Sequence, residues 1–138
     1  MPISLTIPMI LPTTLALAAA AAFINFWLMV RISQIRYATG INVGDGGNEA
    51  LGRRMRAQAN FIENTPITLI LLAAVELSGK GSWWLSILGA VFMLGRVAHA
   101  IGMDGGRYKA GRSIGALTAV VTQLGLAVFA LTIALHHG

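Results

Sequence analysis

Apolar residues run along this chain in four long blocks separated by polar, glycine-rich breaks. The first extends from about Ile10 to Val30 without a charge, the second from about Ala59 to Leu77, the third from about Trp83 to Ile101 and the fourth from about Ser113 to Leu135. With a rise of about 1.5 Å per residue, some 21 residues span about 31 Å, enough to cross the hydrocarbon core of a bilayer. The pattern predicts an all-α integral membrane protein, a four-helix bundle in one domain over residues 1–138. Pro12, followed by Thr13 and Thr14, suits the first turn of the first helix. Residues 37–52 contain GINVGDGGNEALG, residues 78–82 read SGKGS and residues 102–112 read GMDGGRYKAGR; these are the expected connections.

Composition agrees. The chain is 56% hydrophobic and 11% charged, with mean hydropathy +0.73, whereas soluble domains carry about 25% charged residues. It has no cysteine, which excludes a disulfide framework, a thiolate metal site and a cysteine nucleophile of its own. No basic stripe interleaved with aromatics points to nucleic acid. Ala16-Leu17-Ala18 looks like a cleavage site for a signal peptide, but no basic residue precedes Arg31, so the first block is read as an uncleaved membrane helix.

Nine of the ten Lys and Arg residues lie in or beside the first and third connections. Basic residues mark the cytoplasmic side, so these two connections are expected in the cytoplasm and both termini outside, with Trp83 and Trp84 as anchors at the outer interface.

The second block begins within RMRAQANFIENTP, residues 54–66, which is polar for a membrane helix. Arg56, Asn60 and Glu63 fall at i, i+4 and i+7, on one helical face that Arg53 extends. Glu63 lies about ten residues in from Arg53, too deep for a surface charge, and Pro66 removes a backbone donor just beyond it. In the third block Arg96, His99 and Met103 again share a face, and Arg112 stands with Ser113 at the start of the fourth. A charge at the centre of a bilayer costs about 2.5–3.5 kcal/mol on insertion scales. Two readings are open here. The faces recognise an anionic, amphipathic ligand, or Arg56–Glu63 and Arg96–Glu63 are structural ion pairs that tie helices together. By position alone Arg31 and Arg36 are positive-inside determinants, and Glu76, near the outer end of its helix, is expected to be solvated. His99 by itself is a packed histidine rather than a metal ligand, and no metal is expected, at His136 and His137 either. Asp45-Gly46-Gly47-Asn48 reads as a turn rather than a calcium loop, because the later ligands are missing. Gly111 and Gly115 form a small-xxx-small pair.

RAQANFIENTP resembles the second-helix signature of the MAPEG family, membrane-associated proteins of eicosanoid and glutathione metabolism. GRVAHAIG at 95–102 and GRS at 111–113 continue the resemblance, and GDGGNEAL is similar to the small bacterial inner-membrane branch. The resemblance implies a homotrimer of four-helix subunits in the inner membrane, with glutathione as co-substrate between neighbouring subunits near the cytoplasmic face. By position it implies Arg56, Gln58, Asn60 and Glu63 as glutathione contacts on the second helix, and Arg96 on the third. His99, where some members carry tyrosine, and Arg31 on the first helix join the binding set. Arg112 matches the arginine associated with the glutathione thiolate and is the implied catalytic residue. Asn64 stands where the cysteinyl-leukotriene synthase has tyrosine, and Met103 where the eicosanoid enzymes have one; both departures argue against an eicosanoid substrate.

The activity implied is a glutathione-dependent transferase or peroxidase acting on hydrophobic electrophiles or lipid hydroperoxides that enter from the lipid. The alternative is a non-enzymatic lipid- or thiol-binding scaffold. A small four-helix exporter is disfavoured, because its essential carboxylate would belong in the first helix, which has no charge over Ile10–Val30.

Overall fold

A computed structural model describes residues 10–136. Four helices follow one another: α1 Pro12–Thr39, α2 Glu49–Leu77, α3 Trp83–Met103 and α4 Ala110–His136, with a short 3-10 turn, Gly106–Tyr108, before α4. No strand occurs among the described residues. All four helices are long and apolar enough to cross a membrane.

Two of them outrun their apolar blocks at the basic end. α1 continues to Thr39 and α2 already begins at Glu49, leaving a connection of residues 40–48. Helix formation depends on backbone hydrogen bonds and on caps, not on hydropathy. Gly40, at φ 72°, ends α1 and gives its N–H to the Arg36 carbonyl. Asn48 accepts from the Leu51 N–H at 2.9 Å and starts α2. Between them Asp45 Oδ1 accepts from the Gly47 N–H, so the expected turn is present.

The core comprises Leu28, Phe61, Leu72, Val75, Leu85, Phe92 and Leu126, drawn from all four helices. α3 is the most enclosed of them and packs closely on α4. Glycine makes that approach possible. A Cβ on Gly102 would run into the backbone of Gly111 and Arg112, and one on Gly115 into the Gly95 carbonyl and His99. The Gly111–Gly115 pair is therefore a real packing face, and it seats the first turn of α4 against the end of α3.

At the opposite end Glu76 is half-buried and is held by partners rather than left to solvent alone. Its carboxylate accepts from the N–H groups of Thr13 and Thr14, each at 2.8 Å, and from the Thr14 hydroxyl at 2.7 Å. The free N–H groups of an α1 that opens with Pro12 are thus satisfied by the end of α2. The expectation of a solvated Glu76 came from its place in the sequence alone; its partners lie more than sixty residues away.

Candidate functional site

Arg96 is buried at the middle of the polar set, 2% exposed. Nη1 donates to Asn60 Oδ1 at 2.5 Å, Nη2 donates to the Gly115 carbonyl, and the guanidinium stands 5.5 Å from the centre of the Phe92 ring. Its Nε has no hydrogen-bond partner among the described residues. A charge this enclosed survives only with hydrogen bonds on its other faces, which Asn60 of α2 and the backbone of α4 supply. His99, one turn further along α3, is buried against Gly115.

The polar contacts continue below Asn60. Asn64 Nδ2 donates to the Asn60 carbonyl at 2.8 Å, and Gln123 Nε2 of α4 donates to the Asn64 carbonyl at 3.1 Å. Thr68 Oγ1 closes the series on the same carbonyl at 2.8 Å. Gln123 was not anticipated from the sequence. The signal available was its position as a lone amide within an apolar helix, where an unpaired polar group is costly.

Arg56 and Glu63 lie on the outer side of α2. Their side chains pair at 3.7 Å and are 67% and 56% exposed, so the pair, both of whose members lie on α2, ties no two helices of the chain together. Of the two ion pairs considered from the sequence, Arg96–Glu63 does not form: Arg96 meets no carboxylate among the described residues. The helical stripe is therefore divided, with Asn60 turned inward to Arg96 and the two charged groups outward.

Arg112 stands in the first full turn of α4, on a cleft of ≈ 610 Å³ that Arg53, Met103, Lys109 and Ser113 also line. Arg31 lies elsewhere. It is buried, forms an ion pair with Asp104, donates to the Ala100 carbonyl at 3.1 Å and has the Trp27 ring 4.8 Å away. Gln58 faces α1 and donates to Asn25 Oδ1 at 3.3 Å. The structure thus joins Asn60, Arg96 and His99 in one internal cluster, puts Arg56 with Glu63 on the adjoining outer face and Arg112 on the cleft, and gives Arg31 and Gln58 internal partners. Asp104 and Asn25 are further polar residues that the sequence did not mark for this region. His136 is bonded within its own helix, its Nδ1 2.8 Å from the Thr132 carbonyl, and His137 lies outside the described residues.

This arrangement can hold an anion at the basic end and an amphipathic molecule along the polar flank of α2. The MAPEG family model matches residues 14–132 of the chain. Among curated proteins, the chain is similar to inner membrane protein YecN of Escherichia coli strain K12 and to the same protein of strain O6:H1. Each is 29% identical over 89 residues, which cover 62% of this chain and 68% of the relative.

Proposed function

The chain belongs to the MAPEG family, and from that premise we propose that it is a glutathione-dependent transferase or peroxidase acting on hydrophobic electrophiles or lipid hydroperoxides in the bacterial inner membrane. It is a membrane protein of the family named for eicosanoid and glutathione metabolism, whose members generally use glutathione. The observation that carries the proposal is the outer face of α2. Arg56 and Glu63 are exposed on a helix long and apolar enough to span the membrane, and lipid is a costly place for two charges. A neighbouring subunit and a zwitterionic, polar ligand at that face remove the cost. Glutathione has both an ammonium for Glu63 and carboxylates for Arg56, and a homotrimer supplies the second wall.

The chemistry follows from the remaining residues. A free thiol with pKa about 8.5 is only a few per cent thiolate at neutral pH. The positive Arg112 guanidinium favours the thiolate over the thiol. The thiolate sulfur then forms a bond to an electrophilic carbon while the leaving group departs with its electron pair. With a hydroperoxide the sulfur takes the distal oxygen, the O–O bond breaks and the lipid leaves as an alcohol after protonation; a second glutathione then reduces the sulfenic acid, releasing water and the disulfide. Asn60, Arg96 and His99 form the inner wall, and the Arg96–Asn60 hydrogen bond fixes the position of the α2 face. The two basic connections face the cytoplasm, where glutathione is available, and both termini belong on the outer side of the membrane.

Calorimetric titration of the detergent-purified protein with glutathione tests the reading, followed by turnover of a model apolar electrophile. Saturable binding with turnover supports the enzyme. Met103, replacing the tyrosine of the eicosanoid enzymes, favours the competing reading of a binding scaffold, which predicts a lipid or thiol ligand without turnover. Absence of any heat or thermal stabilisation by glutathione rejects the thiol reading.

A further inference from the structure

All five carboxylates of the chain are committed to partners. Asp45 closes its own turn, Glu49 pairs with Arg53, Glu63 pairs with Arg56, Glu76 caps α1, and Asp104 pairs with Arg31 and Arg54. Lys109 and Arg112 form no ion pair among the described residues, and both line the cleft at the start of α4. Arg53 faces the same cleft. The wall thus carries three cationic groups, of which Glu49 offsets one, leaving two positive charges (3 − 1 = 2).

The wall is built, not merely basic. Arg53 Nη2 is held by Glu49 at 2.5 Å and Nη1 donates to the Asp104 carbonyl at 3.3 Å. Gly105, at φ 84°, leaves room for that guanidinium: a Cβ there would come within 2.7 Å of Arg53 Nη1. The close contact of Gly102 with Gly111 and Arg112 fixes the other wall. Arg107 carries the same charge in the same connection but does not line the cleft. Topology signals need basic residues on one side of the membrane; they do not need three of them on one concave surface.

We propose that this cleft binds a phosphate monoester, seated on Arg53, Lys109 and Arg112. A carboxylate brings one negative charge, whereas a phosphate monoester brings about −1.5 to −2 at neutral pH and matches the two left over on the wall. Its three free oxygens suit a guanidinium fork beside an ammonium. The volume, ≈ 610 Å³, admits a headgroup-sized molecule. The monoester is either the headgroup of a phosphatidic-acid-type lipid, lying at the depth of the helix ends, or a soluble phosphate ester. The inference goes beyond the thiol reading through Arg53 and Lys109, which that reading does not use, and it shares Arg112 with that reading.

The test is the thermal unfolding midpoint of the full chain in detergent, without glutathione. Inorganic phosphate, short-chain phosphatidic acid and short-chain phosphatidylcholine are titrated in turn. Phosphatidic acid should raise the midpoint and phosphatidylcholine should not. An equal response to inorganic phosphate identifies a soluble ester as the source, and a response to the lipid alone identifies the headgroup. Lys109→Ala, an exposed loop change, should need roughly three- to tenfold more ligand, as should Lys109→Gln, while Arg107→Ala should match wild type. No stabilisation of wild type by either phosphate compound overturns the proposal, and so does an equal loss in the Arg107 and Lys109 variants, which would mean diffuse surface charge. Lys109→Ala should still titrate with glutathione, so failure of the thiol reading shows separately, as an absence of glutathione heat with the phosphate response intact.

Discussion

Asp104 at the end of α3 holds Arg31 of α1 in an ion pair, and the same carboxylate lies 3.5 Å from Arg54 Nε of α2. Arg54 also donates to the Arg31 carbonyl at 2.6 Å. Three helices are thereby joined at one residue, just before the glycines that lead to the cleft. Breaking a fully buried pair by removing one partner costs about 3–5 kcal/mol. Asp104 is partly exposed, so the cost here is smaller, roughly 1–2 kcal/mol. Asp104→Asn and Arg31→Gln should each lower the unfolding midpoint, and the double variant should fall by less than the sum. Strict additivity in that cycle means the pair is incidental.

Glu76 gives a prediction at the other end of the bundle. Glu76→Ala removes three acceptor contacts from the start of α1 and should lower the unfolding midpoint, with a loss of about 1–2 kcal/mol. Glu76→Gln keeps one side-chain oxygen and should lose less. Hydrogen exchange of the first turn of α1 should quicken in the alanine variant; unchanged protection there rules out the cap.

Arg56→Ala and Glu63→Gln should weaken glutathione binding, each by roughly tenfold. The pair is exposed in the single chain; under the proposed function a ligand and a neighbouring subunit would cover it, and hydrogen bonds to charged groups contribute about 1.5–3 kcal/mol once water is excluded. Titration calorimetry reads the change. Unaltered affinity in both variants means that the pair serves only to link subunits, which native mass spectrometry would then show as a loss of trimer.

Arg112→Ala should act on chemistry more than on binding. Losing about 1.4–2.7 kcal/mol of thiolate stabilisation slows turnover roughly 10- to 100-fold, with a smaller change in glutathione affinity. The thiolate absorbance near ~240 nm should appear when wild type meets glutathione and fade in the variant. Full turnover and ionisation in the variant would reduce Arg112 to a topology signal or to part of the phosphate cleft.

Orientation is checked with single cysteines at Asn48 and Ser82, in a chain that has none of its own. On whole cells an impermeant maleimide should label Ser82 and not Asn48. The reverse pattern inverts the topology.

The second helix shows what was readable before the structure and what was not. Arg56, Asn60 and Glu63 announce a polar face by spacing, because a helix repeats every 3.6 residues whatever surrounds it. Spacing does not say which way each side chain turns at the edge of that face. Asn60 turns to Arg96 and on to the α4 contact, while Arg56 and Glu63 remain outside. Arg31 is a similar case: a basic residue at a helix end reads as a topology signal until Asp104 is seen beside it.

The sequence by itself determined the four helices, the basic end of the bundle and the residues with unusual cost in a membrane. These are local properties: hydropathy over about twenty residues, charge and helical period. Helix ends were legible only where the apolar blocks ended too, since α1 and α2 continue past theirs on backbone hydrogen bonds and caps. Tertiary structure alone decided the partners: Glu76 with Thr14, Gln123 with Asn64, Asp104 with Arg31, and Lys109 with no carboxylate among the described residues. Each pairing depends on how far one helix is rotated and shifted against another, and that setting comes from side-chain packing and from contacts such as Gly102 on Gly111, between residues whose identity does not reveal their distance.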